Sequence, residues 1–341
     1  MNIAVCGIDL AKNSFQIHGI DEEGQVSCKK KLKRSQVLKF FANKPVCLIG
    51  MEACGGAHYW ARELSKLGHT VRLMSPQHVK PYIKGNKNDA NDAAGICEAV
   101  TRPSMTFVGI KTQQQHDILL LHRVREQKVK NRTALSNQIR GLLAEYGYVL
   151  PKSLPKLRSQ LLILLSEADD DKLSVLACRQ FYLLYEHLLQ LDDQIKALEK
   201  ELHSIARQNE DCMRLASLPG VGLITATALV AHIGDISQFR SSRALAAYLG
   251  IVPRQHSTGG KEALLGISKR GNSYLRGLLV HRARSVLRHA KNKEDEHSQW
   301  FKQLAERRGY NKAIVGQANK TARRVWALLT NQTYYQVAEQ A

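Results

Sequence analysis

The sequence predicts an α/β domain followed by a mostly α remainder, and three observations lead to that fold class. Short apolar runs alternate with amphipathic segments over residues 1–105, which is the pattern of strands alternating with helices. From residue 181 to residue 205, apolar residues recur in steps of three and four, as they do along one side of a long helix. Residues 211–330 contain further helical segments, two of them around the turn sequence PGVG. We therefore predict three domains, comprising residues 1–110, 111–208 and 209–335.

The charge of the chain indicates its partner. The 341 residues include 50 Lys and Arg against 30 Asp and Glu, which gives a net charge of +20. Such an excess predicts a nucleic acid partner, and less often an anionic membrane surface. No apolar run reaches the roughly 18–20 residues that a membrane span needs, and the N-terminal MNIAVCGIDLAK lacks the pattern of a signal peptide. We expect no membrane partner and a bacterial cytoplasmic, nucleoid-associated protein.

The cysteines limit the kind of metal site that the chain could form. All seven are scattered, and none belongs to a CxxC pair. This usage is typical of reduced thiols and argues against a disulfide framework or a zinc site. A metal held by carboxylates remains open.

The first domain begins with three strands. NIAVCGID, SFQIHGID and QVSCKKKLKR, with the turn sequence DEEG before the third, predict an antiparallel meander. VCLIGME predicts a further buried strand. AHYWARELSKLG then predicts an amphipathic helix that ends at Gly68, and HTVRLM predicts another strand. NDANDAAGICEAV predicts a helix whose N-cap is Asn88 or Asp89.

Four acids in this domain form the first candidate site. Asp9 ends the first strand, Glu52 ends the strand expected beside it, and Asp89 and Asp92 share one side of a helix. In an RNase H-like fold these positions converge at the sheet, and hard oxygen ligands suit Mg²⁺ or Mn²⁺. A pair of such ions could support phosphodiester chemistry. Ordinary roles remain open: a strand-end turn for Asp9, a surface acid for Glu52, and helix-start acids for the aspartates.

A basic helical segment follows at residues 111–147. Its many Lys and Arg residues are opposed within the segment only by Asp117, Glu126 and Glu145. We predict that its residues 111–140 bind RNA, and the candidate contacts are Arg123, Arg125 and Lys128.

The apolar seam from Phe181 to Ile205 allows two interpretations. It could be one helix of a bundle within the chain, or it could be a dimerising coiled coil. The heavily charged DDQIKALEKEL off the seam favours the coiled coil.

The third domain offers two further candidate contacts with DNA. Gly220 and Gly222 of PGVG predict a helix-hairpin-helix, whose exposed backbone N–H groups can bind a phosphate. A plain interhelical turn is the alternative. From Arg254 to Lys293 there are ten Lys or Arg and one acid. A solvated surface is seldom so one-sided, and our candidate DNA contacts there are Arg254, Lys261, Lys269 and Arg270.

The same region contains a candidate nucleophile, Ser257, in PRQHSTGGKEALLGISKRGN. A serine on a glycine-flanked loop among cations suits attack on a phosphodiester. An ordinary solvated turn is the alternative interpretation of STGG.

The order Asp, Glu, Asp-x-x-Asp resembles that of the DEDD insertion-sequence transposases. The resemblance rests on GIDLAKNSF, on the stretch from GMEACGG to KGNKNDANDA, and on the stretch from LPGVG to ISKRGNSYLR, and it extends from about residue 3 to residue 330. The Piv/MooV DNA invertases are relatives of this family, and its better studied members are recombinases guided by a structured bridge RNA. The resemblance implies a RuvC-like first domain of RNase H fold, with Asp9, Glu52, Asp89 and Asp92 as its acids.

The resemblance also implies the role of the last domain. That domain would be a transposase domain with a nucleophilic serine, and the spacing to SKRG matches Ser257, with the adjacent Thr258 as the alternative. The partners implied are donor and target DNA, a structured guide RNA, and further copies of the chain in a tetramer built from two dimers.

Together these observations predict a Mg²⁺-dependent DNA recombinase that forms a covalent phosphoserine. The alternative is a RuvC-like metal-dependent nuclease, of the junction-resolvase type, that uses water and forms no covalent intermediate. A sugar-kinase or actin-like ATPase is disfavoured, because its second phosphate loop and its adenosine motif are missing. An architectural coiled-coil DNA binder would leave the four acids unexplained.

Overall fold

The computed structural model describes residues 2–86, 88–166, 173–290 and 293–336. The chain divides into two compact units, unit 1 at residues 1–113 and unit 2 at residues 114–341. Within the described residues, no helix is long and apolar enough to cross a membrane. The two-unit division places a boundary close to residue 110. The further boundary at residue 208 stays a prediction.

Unit 1 is built on a mixed sheet of six strands. The strands are β1 (Val5–Leu10), β2 (Ser14–Ile20), β3 (Val26–Lys33), β4 (Leu48–Glu52), β5 (Thr70–Met74) and β6 (Phe107–Val108). Their order across the sheet is β3-β2-β1-β4-β5-β6. The first three strands are antiparallel, as the sequence predicted, while β1, β4 and β5 run parallel.

Four α-helices accompany this sheet in the described residues of unit 1. They are α1 (Val37–Ala42), α2 (Ala57–Lys66), α3 (Pro76–Val79) and α4 (Asp89–Val100). The helix α2 ends as predicted, with Gly68 at φ 93° one residue beyond the C-cap Leu67. The N-cap of α4 is Asn88, whose side chain accepts a hydrogen bond of 2.7 Å from the Ala90 N–H. These caps fix where each helix begins or ends relative to the sheet.

Gly7 of β1 allows α4 to lie directly on the strand. A Cβ at position 7 would lie 2.2 Å from the Ala93 carbonyl oxygen and 2.4 Å from the Cys97 nitrogen, both in α4. Only glycine avoids that clash. On the opposite face of β1, the fully buried Ile8 belongs to a core that also contains Trp60 and Leu64 of α2. The sheet is therefore covered on both faces, with α4 on the face of Gly7.

Unit 2 is helical apart from one hairpin in its described residues. The helices are α5 (Gln113–Ala144, whose first residue ends unit 1), α6 (Leu154–Ser166), α7 (Val175–Arg207), α8 (Glu210–Ala216), α9 (Leu223–Ile233), α10 (Ser242–Tyr248), α11 (Ser273–Ala290), α12 (Glu296–Arg308) and α13 (Tyr310–Asn331), and the hairpin strands are β7 (Pro253–Gln255) and β8 (Leu264–Ile267). The helices α8 to α13 share one core.

The apolar seam of α7 packs inside its own chain. Leu188 and Leu191 are at most 3 % exposed and share a core with Leu135 of α5 and Leu161 of α6. Further along, Leu202 packs with residues of α5 and α9. The structure thus favours the bundle interpretation over the coiled-coil dimer that we predicted. The reason is that α5, α6 and α9 already cover the buried part of the seam.

Candidate functional sites

The acids converge at the end of β1. Asp9 lies in β1, and Glu52 is the last residue of β4. Because the parallel register pairs Ile8 with Met51, Asp9 and Glu52 follow side by side on neighbouring strands. Asp89 and Asp92 occupy the first turn of α4. One carboxylate oxygen each from Asp9, Asp89 and Asp92 lies within 4.8 Å of the other two.

The electrostatics of the cluster follow from this proximity. Burial, and then the charges of Asp92 and Asp89, raise the pKa of Asp9. Burial, and then the charges of Asp9 and Asp92, also raise the pKa of Glu52. Glu52 is therefore coupled to the cluster, although it is not one of the three residues that meet within 4.8 Å.

These residues fit a divalent cation. Three oxygen ligands converge, two of the acids have raised pKa values, and among the described residues no Lys or Arg forms an ion pair with any of the four acids. Repulsion between close carboxylates is relieved by a cation, and hard oxygen ligands select Mg²⁺ or Mn²⁺. A helix start also favours acidic residues through its dipole. That alone would not bring Asp9 of another element into the group.

Ser257 lies on the hairpin formed by β7 and β8. The turn at its tip consists of Gly259 and Gly260, with φ values of 56° and 78°, between Thr258 and Lys261. Positive φ at both central residues is what a two-residue hairpin turn of type I′ requires. The glycine pair beside the serine therefore forms a defined tight turn. Ser257 is exposed beside it.

The hydroxyl of Ser257 has a single recorded partner among the described residues. The Gln255 side-chain amide donates to Ser257 Oγ over 3.0 Å. No carboxylate or imidazole of the described residues is recorded in a hydrogen bond with this oxygen. The four predicted DNA contacts of this region, Arg254, Lys261, Lys269 and Arg270, are all exposed. Exposed cations are thus present in the same segment as the serine, whereas no general base contacts its hydroxyl among the described residues.

The base of the hairpin is held by a contact that sequence reasoning missed. A Cβ on Gly250 would lie 1.9 Å from the Arg270 carbonyl oxygen, and one on Gly271 would lie 1.9 Å from the Tyr248 carbonyl oxygen. Two segments of backbone therefore cross at van der Waals distance. Lys269 between them has a left-handed φ of 53°. The only signal in the sequence was the two glycines, at AYLGIV and SKRGN.

The PGVG turn joins α8 to α9. Gly220 has φ 85°, and a Cβ there would lie 2.5 Å from Val286 Cγ2 of α11. Gly222 is the N-cap of α9 and has no side chain to cap the helix. A Cβ at Gly222 would lie 3.4 Å from an Arg282 guanidinium nitrogen. The α9 start therefore has a nearby cation, although the helix-hairpin-helix function stays a prediction.

The predicted RNA contacts on α5 have different outcomes. Arg123 is exposed and Lys128 is half-buried. Arg125 instead donates to Glu199 of α7 through Nε over 2.9 Å and through a terminal nitrogen over 2.5 Å. Arg125 is therefore engaged within the chain, and its contact with nucleic acid stays a prediction. Counting charges within the segment missed Glu199, because this acid lies 74 residues further along the chain.

Other cations of α5 also have partners within the chain. Arg132 of α5 and Arg158 of α6 both pair with the buried Asp192 of α7, over 3.0 Å and 2.5 Å. Arg140 donates to the backbone carbonyls of residues 151 and 152. Much of the positive charge of this helix therefore stabilises the bundle.

Comparisons with known protein families identify the class to which the chain belongs. A family model described as a DEDD-type transposase of the IS110 group matches residues 6–148. A second, described as the transposase family IS116/IS110/IS902, matches residues 212–299. Both matches describe transposases, and the first covers all four clustered acids.

Curated relatives extend the match along the chain. A transposase for insertion sequence element IS1111A from Coxiella burnetii is 51 % identical over 98 % of this chain and 92 % of its own length. A probable family 20 transposase from Pseudomonas aeruginosa is 47 % identical over 98 % of this chain and 99 % of its own. A transposase for IS1328 from Yersinia enterocolitica is 40 % identical, with the same coverage. The chain belongs to the IS110/IS116 family of DEDD transposases.

Proposed function

We propose that this transposase is a site-specific recombinase that cuts and rejoins DNA through a covalent phosphoserine. The observation that carries the proposal is the meeting of Asp9, Asp89 and Asp92 within 4.8 Å, with Glu52 coupled to them. Such a set of oxygen ligands suits the handling of a phosphodiester. The likeness of the sequence to Piv/MooV invertases and to bridge-RNA-guided recombinases supports the covalent step.

The acids would hold Mg²⁺, for which Mn²⁺ is a substitute. When bound, the metal would supply Lewis-acid stabilisation of the negative charge that develops on the phosphate oxygens. The half-buried Asp9 and Glu52 must be ionised for this role, and their raised pKa values oppose ionisation in the absence of a cation.

Ser257 would supply the nucleophile. Its Oγ forms a bond to phosphorus while the bond from phosphorus to the 3′ oxygen of the DNA breaks. The hydroxyl proton is lost to solvent and the departing oxygen takes one up, so that a 3′-hydroxyl is released. Because the phosphoserine ester conserves the bond energy, the reverse attack by a 3′-hydroxyl rejoins a strand without ATP. The exposed Lys261, Lys269 and Arg270 would neutralise the phosphate.

The nucleic acid contacts of this proposal are divided between DNA and RNA. The hairpin cations with Arg254, and the N–H groups at Gly220 and Gly222, would grip DNA. The likeness to bridge-RNA-guided recombinases supports a structured guide RNA, for which Arg123 and Lys128 are our first candidates on α5. It also supports an assembly of two dimers into a tetramer. The apolar seam of α7 is not our candidate for the dimer contact, since it is buried within the chain.

A metal-dependent nuclease of RuvC type is the second candidate function. The observation that favours it concerns the Ser257 hydroxyl, which accepts from Gln255 and has no carboxylate or imidazole as a hydrogen-bond partner among the described residues. A nuclease would attack with water and leave no adduct.

A suicide DNA substrate with Mg²⁺ separates the two functions. The recombinase should give a protein–DNA adduct that survives denaturation, and Ser257→Ala should lose it while keeping DNA affinity. Thr258→Ala is the matched control and should keep the adduct. An adduct that depends on Thr258 instead would move the nucleophile by one residue. Cleavage by the wild type without any adduct would establish the nuclease.

A further inference from the structure

The edge strand β3 carries a row of lysines that the proposed function does not use. Lys29, Lys31 and Lys33 alternate along the strand and are all exposed. The residues between and beside them, Cys28 and Leu32, are buried in the core of unit 1. Because side chains alternate between the faces of a strand, the three lysines share the face away from that core.

This face is the one that carries the acids. The strand register pairs Asp9 of β1 with Gln16 of β2, and Gln16 with Lys31 of β3. Directly paired residues point to the same side of a sheet. Asp9, Gln16 and Lys31 therefore form one row across three strands, on the side where α4 contacts Gly7.

A second row supports the same assignment. Gly7 is paired with His18, and His18 with Lys29. Burial and the nearby Lys29 ammonium lower the pKa of His18. The charge of Lys29 is thus felt on the face that α4 covers at Gly7.

Lys30 shows the contrast within the same strand. Its ammonium lies 5.7 Å from the centre of the Phe40 ring, on the side of α1. Lys44 contacts the same ring at 5.5 Å. The basic sequence CKKKLK is therefore divided by the pleat into lysines beside the acids and a lysine on the opposite face.

The row of lysines is near enough to the acids to act on one polynucleotide strand. Neighbouring strands of a sheet lie about 4.8 Å apart, which places Lys31 roughly 10 Å from Asp9 along the backbone row. One DNA strand rises about 3.4 Å per nucleotide, so this distance corresponds to about three nucleotides. Among the described residues, none of the three lysines is recorded in an ion pair with an acid.

We propose that Lys29, Lys31 and Lys33 form a phosphate-binding track that leads the DNA strand to be cut towards the acid cluster. The inference rests on the proposed function, because it takes the acids to be the place where a phosphodiester reacts. A cluster of carboxylates repels the phosphates on either side of the reacting one. The cations of the track offset that repulsion at a spacing of a few nucleotides. Charge complementarity and continuity with the acids identify DNA as the occupant.

The first experiment measures binding without metal. The triple variant Lys29→Gln, Lys31→Gln and Lys33→Gln is compared with a charge-matched control, Lys30→Gln, Lys39→Gln and Lys44→Gln, on the side of α1. The probe is a short fluorescent duplex taken from the end of the element, titrated at several salt concentrations. Each phosphate contact contributes about 0.9 to the salt slope of the affinity. The track variant should therefore lower the slope by up to about 2.7, and the control should leave it near the wild-type value.

Equal losses in the two triple variants would overturn the track, because they would reflect net charge alone. A labelled guide RNA, or the non-coding RNA of the element, forms the second arm. Loss of RNA affinity with unchanged DNA affinity would also overturn the proposal and assign this face to RNA. Circular dichroism of both variants checks that unit 1 remains folded.

A second experiment tests position. A photo-crosslinking residue at position 31 should attach to the suicide substrate within about three nucleotides of the cut site, and one at position 30 should not. Crosslinks at distant nucleotides would contradict the track. Failure of the track can be distinguished from failure of the proposed function. If the wild type never cuts DNA, and DNA affinity falls only in the track variant, the phosphate-binding track is supported and the proposed cleavage reaction is refuted.

Discussion

The two groups proposed to act on DNA lie in opposite environments. The acids are set by the parallel pairing of β1 with β4 and by a helix that begins at Asn88 and rests on Gly7. Asp9 and Glu52 are half-buried, with raised pKa values. Ser257 is exposed on a two-stranded hairpin, and within the described part of the chain its side chain has one hydrogen bond. The acid cluster is therefore positioned by the fold of unit 1, whereas the reactivity of the exposed serine depends on the groups that bind next to the hairpin.

The strongest test of this contrast removes one carboxylate. Asp9→Asn should abolish adduct formation and strand exchange. Replacing a residue that only orients a metal ligand lowers metal affinity or activity roughly 10–100-fold, and replacing the ligand itself should lower activity further. DNA affinity should persist, since it depends on Lys and Arg. Adduct yield on the suicide substrate and fluorescence anisotropy measure the two properties. Wild-type adduct yield in Mg²⁺ would show that the acids are not used.

Two glycines provide the next test. Gly7→Ala places a methyl group 2.2 Å from the Ala93 carbonyl oxygen, so α4 must move and carry Asp89 and Asp92 away from Asp9. We expect an activity loss approaching that of Asp9→Asn, together with a lower melting temperature. Gly259→Ala, where nothing lies within 4 Å, should cost about 1 kcal/mol of local strain and only part of the activity. If the two variants lose equal activity, the hairpin is as tightly constrained as the acid site.

The pH dependence of cleavage tests the acids alone. Because burial and neighbouring charges raise the pKa of Asp9 and of Glu52, cleavage should fall as the pH drops through these raised values. Higher Mg²⁺ should move the fall to lower pH, since the metal competes with protons for the carboxylates. Single-turnover rates at two Mg²⁺ concentrations measure this shift. If the pH profile of the cleavage rate does not shift with Mg²⁺ concentration, the group that titrates is not one of these acids.

The smallest expected effect concerns stability without metal. A carboxyl whose folded pKa is raised destabilises the folded state when it is ionised, and that cost is fully present above the raised pKa. At neutral pH in EDTA, Asp9→Asn should therefore raise the melting temperature, by at most a few degrees. Mg²⁺ should stabilise the wild type more than the variant. Scanning calorimetry with and without Mg²⁺ checks both statements. An unchanged melting temperature in EDTA would mean that the ionised Asp9 carboxylate does not destabilise the folded state.

The sequence predicted those features that depend on nearby residues. The meander, the Asn88 cap and the i, i+3 pair of aspartates are local patterns, and the structure has all of them. Glu52 could be predicted to lie beside Asp9 because its strand pairs in parallel with the strand that carries Asp9.

Features that depend on distant partners were not predictable in the same way. An apolar seam has the same period whether a second copy covers it or helices of the same chain do, and α7 is covered by its own chain. Arg125 looked free because Glu199 is remote in sequence. The crossing of Gly250 and Gly271 over backbone carbonyls likewise leaves no periodic signal.

Gly7 also has a consequence for how copies of such a gene decay. One base change converts a glycine codon into an alanine codon, and position 7 has no room for the added methyl group. Such a copy would encode a chain whose lysines and arginines are all intact. If copies assemble together, we expect the damaged chain to occupy DNA ends without cutting them and to act as an inhibitor of its intact relatives. A single substitution beneath a helix would thus convert a gene for an active transposase into a gene for an inhibitor of transposition.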